Sequence, residues 1–421
     1  VDVLQIIVLN VLLFFVLVTV HEWGHFYFAK RAGILTREFA IGFGPKLLSF
    51  VKGETRYTLR LLPIGGFVRM AGEDPEIVQI NPGQRVAVAL KQDQVTHIYL
   101  NEFDSRRGAL EGVVEEIDLE RKLFVKLDVD GAVQRYAVHP QAMMVSKEKE
   151  TQIAPWDRQF GSKTVGQRAM AIFAGPLMNF ILAFLLFVAV VFVAGVPVPD
   201  RVRISDTVAG GVAQQAGLQS GDIIVSVNGE KIAGDSKRLT EIIQGSEGKA
   251  MSWIVERGQQ HVSLQVKPAL SEDKVYRVGV SLAPDTRPAS FGEAITGGAK
   301  SMASASTIIL DGFGKLATLQ VKMDDLGGPI RIVEFTSEQA SAGAIQYIYW
   351  MAIMSLYLGL FNLLPVPALD GSRLVFLALE AVRGKPVDPS RESLVHFVGF
   401  AMLMLLMIAV TYNDILRLIK G

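Results

Sequence analysis

Residues 16–30 read VLVTVHEWGHFYFAK, and this stretch decides what kind of fold the chain can have. Sixteen of the first twenty residues are apolar, yet His21, Glu22 and His25 arrive before the apolar character has ended. An ionisable side chain at membrane depth costs roughly 3 kcal/mol or more, so such residues are functional by default. On a helix, positions i and i+4 share a face, so His21 and His25 can bind one metal ion. Glu22 stands beside them, placed to take a proton from water at that ion. Zinc in such a site lowers the pKa of water toward about 7 and polarises a scissile carbonyl. The His-Glu-x-x-His pattern also occurs by chance in soluble helices; its position inside an apolar run gives it weight.

The rest of the chain has to supply a membrane and a third ligand. Half of the 421 residues are hydrophobic and the mean hydropathy is +0.33, high for a soluble enzyme. The apolar residues are clumped, with runs near 4–20, 170–194, 345–367 and 395–410 that approach or reach the length needed to cross about 30 Å of hydrocarbon. We read a polytopic α-helical membrane protein with four transmembrane helices. The first run lacks a basic n-region and a cleavage site, so it is expected to remain as a span rather than be removed as a signal peptide. The net charge is zero, which gives no bias toward nucleic acid. There is no cysteine, which excludes disulfides, thiolate ligands and a cysteine nucleophile, and there are six histidines.

Basic residues near the spans orient them. Lys30, Arg31 and Arg37 follow the first span, Arg158, Lys163 and Arg168 precede the second, and Arg373, Arg383, Lys385 and Arg391 follow the third. Such residues collect on the cytoplasmic side. Both termini are therefore expected outside, with 30–168 and 371–392 cytoplasmic and 196–343 extracytoplasmic. The mildly apolar stretch within 291–318 is expected to be interfacial or extracytoplasmic, because Ser, Gly and Lys interrupt it.

Between the spans, period-2 alternation and turn residues mark β-structure. Residues 37–72 suggest a hairpin dipping to membrane depth, shielded or paired because open strands cannot face lipid. Residues 73–160 suggest a polar, β-rich cytoplasmic insert, with Asp130-Gly131 at a hairpin turn; it shows no chemistry, and His97 and His139 are read as surface or strand histidines. Residues 199–286 carry GLQSGDIIVSVNG and resemble a PDZ domain of the kind attached to bacterial proteases. Such a domain captures extended peptides by strand addition, or acts as a steric filter.

Catalytic zinc wants a third protein ligand and an open position. His396 stands at the start of the fourth span, but Asp370, in LGLFNLLPVPALDGSRL, is the better candidate. A lone Asp before Gly is usually a turn residue or cap. Here the first and third spans both run outside to inside, so His25 and Asp370 come to the same depth.

These motifs together resemble the site-2 protease family, the M50-type intramembrane zinc metalloproteases, most closely its bacterial RseP/RasP type and the RasP-like branch. HEWGH, GGFVRM, AGPLMNF, the PDZ pattern and NLLPVPALDG carry the resemblance, in order, over essentially the whole chain. The resemblance implies one Zn2+ held by His21, His25 and Asp370, with Glu22 as catalytic acid/base. It implies that Asn362 holds unwound substrate backbone, that Pro365 and Pro367 break the third span beside the site, and that Gly65, Gly66 and Phe67 form the β-loop that pairs with substrate. Gly175, Pro176 and Asn179 match the signature of the second core helix, where Asn179 is either a packing residue or a participant in catalysis. Implied partners are the lipid bilayer and single-pass membrane proteins, such as anti-sigma factors after a first cut, or signal peptide remnants. Peptide ends are possible ligands of the PDZ domain, and nucleic acid is not expected. The implied place is the bacterial cytoplasmic membrane, with the site toward the cytoplasmic leaflet. The chain departs from Gram-negative members in showing one PDZ domain rather than two, and its 73–160 insert is longer than a minimal loop. Rival readings are a non-catalytic PDZ membrane scaffold, which needs neither Glu22 nor Asp370, and a metal transporter, for which the intramembrane ligands are too few.

Overall fold

In the computed structural model, the described residues are 3–73, 80–101, 108–146, 149–271, 273–318, 320–321 and 327–420. Parts of the expected insert (74–79, 102–107, 147–148) and of the segment between the PDZ-like residues and the third apolar run (319, 322–326) lie outside them. The chain divides into two compact units, Phe187–Ser301 and the remainder.

In the larger unit, α1 (Val3–Arg31) is a 29-residue helix, about 44 Å long at 1.5 Å per residue. It exceeds the hydrocarbon thickness, so its last turns, with Lys30 and Arg31, can reach the interface. Two long strands follow, β1 (Thr36–Lys52) and β2 (Thr55–Met70). They are more than a hairpin. Each bends midway, near Gly42–Gly44 and near Gly65, where positive φ values turn the chain. Residues 38–41 of β1 therefore pair on one side with 66–69 and on the other with 56–59, while 46–52 pair with 55–60. The result is four segments in the order 46–52, 55–62, 36–43, 66–70, with both outer pairs antiparallel and the inner pair, 55–62 with 36–43, in parallel register. The 66–70 segment is an edge: among the described residues no strand pairs with its outer side.

The insert is a small barrel. β3 (Arg85–Lys91), β4 (Gln94–Tyr99), β5 (Leu110–Asp118), β6 (Phe124–Val129), β7 (Ala132–Ser146) and β8 (Lys149–Gln152) order as β4-β3-β5-β6-β7-β8. A parallel β4–β7 pairing closes the first five. Val86, Val88, Ile98, Val125 and Leu127 fill it. Glu54, at the tip between β1 and β2, fastens the sheet to this barrel. It accepts hydrogen bonds from Gln141 (3.0 Å), Gln152 (2.7 Å) and Arg158 (2.7 and 2.6 Å).

α2 (Val165–Ala194) follows and carries Pro176 in its interior. It leads into the smaller unit: β9 (Val196–Thr207), α3 (Val212–Gln215), β10 (Ile223–Val227), β11 (Glu230–Lys231), α4 (Ser236–Gly245), β12 (Met251–Arg257), β13 (Gln260–Val266), β14 (Ala269–Leu270), β15 (Tyr276–Arg277) and β16 (Val280–Arg287). Its main sheet runs β13-β12-β10-β9-β16 around a core that includes the fully buried Trp253. The GLxxGD pattern is structural here. Asp222, 1 % exposed, accepts from Gln219 N (2.9 Å) and from Arg257 (2.7 and 2.8 Å), closing the turn before β10.

The 287–343 stretch is largely helical, α5 (Phe291–Ala317) and α6 (Pro329–Ala342). α7 (Ala344–Asn362) stops a few residues before the end of the 345–367 apolar run. Pro365 and Pro367 cannot donate backbone hydrogen bonds, so the ladder stops and restarts as α8 (Asp370–Arg383). α9 (Pro389–Lys420) completes the chain. Among the described residues α1, α2, α7 and α9 are long and apolar enough to cross a membrane, and α5 is not among them.

Candidate metal centre and active site

Three elements far apart in sequence deliver the site. α1 places His21 and His25 on one face, four residues apart, both 8 % exposed. α8 delivers Asp370 as its first residue, because the proline break frees the chain there. His21 Nε2 and His25 Nε2 are 3.2 Å apart, and Asp370 Oδ2 lies 3.2 Å from the first and 3.4 Å from the second. This near-equilateral triangle has the edge length of a tetrahedron around zinc, ~3.3 Å for bonds of about 2.0–2.1 Å. Asp370 Oδ2 is buried and has no hydrogen-bond partner. A buried carboxylate oxygen without a donor, facing two imidazole nitrogens, fits a cation better than any neutral arrangement of the three. Among the described residues this is the one His/Asp/Glu group able to hold a metal. His396 is not in it; its Nδ1 accepts the backbone N–H of Ala368.

α2 builds the back wall. Gly175, Pro176 and Asn179 of its AGPLMN signature each have a physical reading. Gly175 lies so close to α1 that a Cβ there would sit 2.2 Å from His25 Nε2 and 2.9 Å from His21 Cε1. Pro176 cannot donate to the carbonyl one turn earlier, which loosens the helix beside Ala171. The Ala171 carbonyl accepts from His25 Nδ1 at 2.9 Å, which leaves Nε2 free to accept a metal ion. The Asn179 side-chain amide lies 3.1 Å from His21 Nδ1 and is fully buried, its other end without a partner. Ser355 of α7 donates to the Asn179 carbonyl at 2.8 Å and fixes the helix at that level.

Glu22 is buried at 8 % exposure, beside the triangle but not in it. Its neighbour is the edge segment of β2: a Cβ on Gly66 would lie 2.8 Å from Glu22 Cγ and 2.8 Å from Ala40 O. Gly65 turns the chain at φ 80°, and the Phe67 ring lies under the Arg60 and Arg69 guanidinium groups at 5.2 and 5.7 Å. Asn362 is the last residue of α7 and donates back to Leu358 O at 3.0 Å, on its own helix, so no hydrogen bond joins it to the ligand triangle. Pro365 and Pro367 lie in the break between α7 and α8.

Sequence reasoning missed the groups that hold α8. Arg373, one turn past Asp370, pairs with Glu73 at the exit of β2, and Arg168 of α2 pairs with Glu380. Both guanidinium groups flank the buried Phe160 ring, at 5.8 and 5.9 Å. The basic residues around the spans were legible only as an orientation signal; nothing in their spacing shows which carboxylates they meet.

Comparison with known proteins shows the family. The model of Peptidase family M50 matches residues 9–406. The chain belongs to peptidase family M50. Curated relatives match almost end to end. Zinc metalloprotease RasP of Geobacillus kaustophilus is 44 % identical over 99 % of each chain. Zinc metalloprotease RasP of Oceanobacillus iheyensis is 42 % identical over 98 % of this chain and 99 % of its own. The Regulator of sigma-W protease RasP of Bacillus subtilis is 42 % identical over 97 % of each. This M50 chain is therefore a zinc metalloprotease of site-2 type and a bacterial membrane protein with four candidate spans. The scaffold reading is not favoured. Among solved structures, a PDZ domain of an SdrC-like protein from Listeria monocytogenes matches 20 % of this chain and 88 % of its own, at 19 % identity and a TM-score of 0.19.

Proposed function

We propose that this M50 protease cuts peptide bonds within the membrane-spanning segments of single-pass proteins, with anti-sigma factors and signal peptide remnants as substrate classes. The observation that carries the reading is the Nε2–Nε2–Oδ2 triangle of His21, His25 and Asp370, with Glu22 beside it and apolar helices around it. His21, His25 and Asp370 hold the zinc, and Glu22 is the acid/base. Zinc, when bound, polarises the scissile carbonyl and makes water nucleophilic near neutral pH. Glu22 accepts the proton of the attacking water and passes it to the leaving amine. Its low exposure keeps bulk water from competing for that proton.

A transmembrane helix hides its carbonyls in i to i−4 bonds, so substrate must be unwound first. The 66–70 edge offers unpaired backbone groups, and Gly66 brings that edge against Glu22. Unwound substrate adds there as a further strand, which offsets the cost of bare amides in hydrocarbon. The Asn362 amide and the Pro365–Pro367 break offer further polar backbone partners. Asn179 acts behind His21 rather than on substrate, as its contact with Nδ1 indicates. The charge pattern supports termini outside and a site toward the cytoplasmic leaflet. On that topology residues 199–286 form an extracytoplasmic PDZ domain, supported by the GLxxGDxIxxVNG pattern and the five-strand sheet, that recruits or filters substrate ends. The experiment is Glu22→Gln: it is expected to keep zinc and to stop cleavage of a labelled single-pass segment. Normal turnover by that variant sinks the assigned role.

A further inference from the structure

One histidine outside the ligand triangle is aimed at the segment that delivers Asp370. Residues 363–369 link α7 to α8. Within them Ala368 takes φ 76°, a left-handed backbone that a residue with a Cβ adopts only at a cost. Its N–H donates to His396 Nδ1 of α9 at 3.1 Å. That bond requires the Nδ1 lone pair, so the imidazole proton is on Nε2, which lies 3.7 Å from Glu392 Oε1. The same ring meets Phe376 of α8 edge-on, centroids 5.8 Å apart. One turn further along α9, Gly399 packs so tightly that a Cβ would lie 2.2 Å from Pro367 Cβ and 2.7 Å from its carbonyl oxygen. α9 thus grips the linker at two successive residues: by shape at Pro367 and by a hydrogen bond at Ala368.

We propose that His396 is a positioning residue for proteolysis. By accepting the Ala368 N–H it holds the left-handed backbone two residues ahead of Asp370. That fixes the angle at which α8 starts, and with it both the Asp370 carboxylate and the backbone that 363–367 present to substrate. This rests on the reading of Asp370 as a zinc ligand. The hydrogen bond is local, while the strained φ it supports belongs to Ala368. Glycine at 368 has no Cβ and adopts that φ without strain. The two residues are therefore coupled in a way that a general packing role for His396 does not share.

The test uses the full chain in detergent micelles with a fluorescein-labelled synthetic transmembrane peptide. Two readings are taken, cleavage kinetics and zinc affinity by competition with a chromogenic chelator. His396→Leu is expected to lose about tenfold in kcat/KM and to bind zinc more weakly, as a strained residue loses its support. His396→Asn, whose side-chain oxygen can stand where Nδ1 stood, is expected to recover most of the loss. The decisive variant is the double substitution His396→Leu with Ala368→Gly, expected to regain activity and zinc affinity over His396→Leu alone. Wild-type behaviour of His396→Leu in both readings overturns the proposal, and so does a double variant no better than the single one. Asp370→Asn, run alongside, separates the two readings. If it keeps zinc, the ligand assignment fails, and His396 is then judged by the rescue pattern in kcat/KM alone.

Discussion

Asn179 of α2 reaches across to His21 of α1, its side-chain amide 3.1 Å from Nδ1 with no water-exposed surface. The atom that faces Nδ1 is the amide nitrogen, and the amide oxygen has no partner; with a metal on Nε2, Nδ1 would carry the proton, and a flip of the amide would turn its oxygen to accept it. That bond would fix the tautomer of His21 and raise its basicity, as the Ala171 carbonyl would for His25. Asn179→Leu is expected to weaken zinc affinity about 10–100-fold, and Asn179→Asp to retain it, since a carboxylate also accepts the proton. Equilibrium competition with a chelator measures both. Equal zinc affinity in the Leu variant and the parent would return Asn179 to a packing role.

Gly175 is a sharper test of where the metal sits. A Cβ at that position would overlap His25 Nε2, and the nearest atoms are the ligand imidazoles themselves rather than a yielding side chain. Gly175→Ala is expected to cost zinc occupancy before it costs the fold. The check is metal content of the purified variant beside its thermal unfolding curve. Full zinc content in a folded Ala variant would contradict the close approach of α2 to α1.

The sequence shows the ingredients of this site more clearly than their supports. HEWGH puts His21 and His25 on one helix face by periodicity, its apolar setting gives the motif weight, and the common direction read for two spans makes Asp370 the expected third group; the structure brings His21, His25 and Asp370 together. The β-pattern of 37–72 was legible, but period 2 says nothing about how often a strand is used. Bends at Gly42–Gly44 and Gly65 let each strand pair twice, and that turns a hairpin into a four-segment sheet with its edge at Glu22. The Ala171 carbonyl had no signal at all, since every residue has a carbonyl. His396 was visible as a histidine near a span end, but only the Ala368 backbone tells that it accepts rather than ligates.

In the smaller unit, Asp222 shows that part of the PDZ-like motif is there for stability. Its carboxylate holds Arg257 and the Gln219 N–H; burial pushes its pKa up, and Arg257 and the Gln219 N–H together outweigh that and hold it below its ordinary value. Asp222→Ala leaves the Gln219 amide without its acceptor and Arg257, a third exposed, with the Gly217 carbonyl alone, a loss of about 2 kcal/mol. Limited proteolysis of the full chain is expected to cut within 199–286 faster in this variant, with zinc content unchanged. Unaltered proteolysis would mean that the turn holds without the carboxylate.

Glu54 makes the link between the sheet and the barrel dependent on pH. Hydrogen bonds from Arg158, then from Gln152 and Gln141, hold its carboxyl at about 2, against an ordinary value of 4.5, although partial burial opposes them. A folded-state pKa below the unfolded one means that the folded protein binds the proton less readily, so stability rises with pH through that interval. The contribution is complete above about 4.5 and is lost as pH falls toward about 2. Glu54→Gln keeps the shape but not the charge, and is expected to lower stability by about 2 kcal/mol at pH 7, the scale of hydrogen bonds to a charged group. The gap between the two proteins should then narrow between pH 4.5 and the acid limit, because protonation converts Glu54 into a near-isostere of Gln. Thermal unfolding in detergent at pH 7, 5 and 3.5 reads this directly. A gap that stays constant down to pH 3.5 would show that the charge on Glu54 does not fasten the sheet to the barrel.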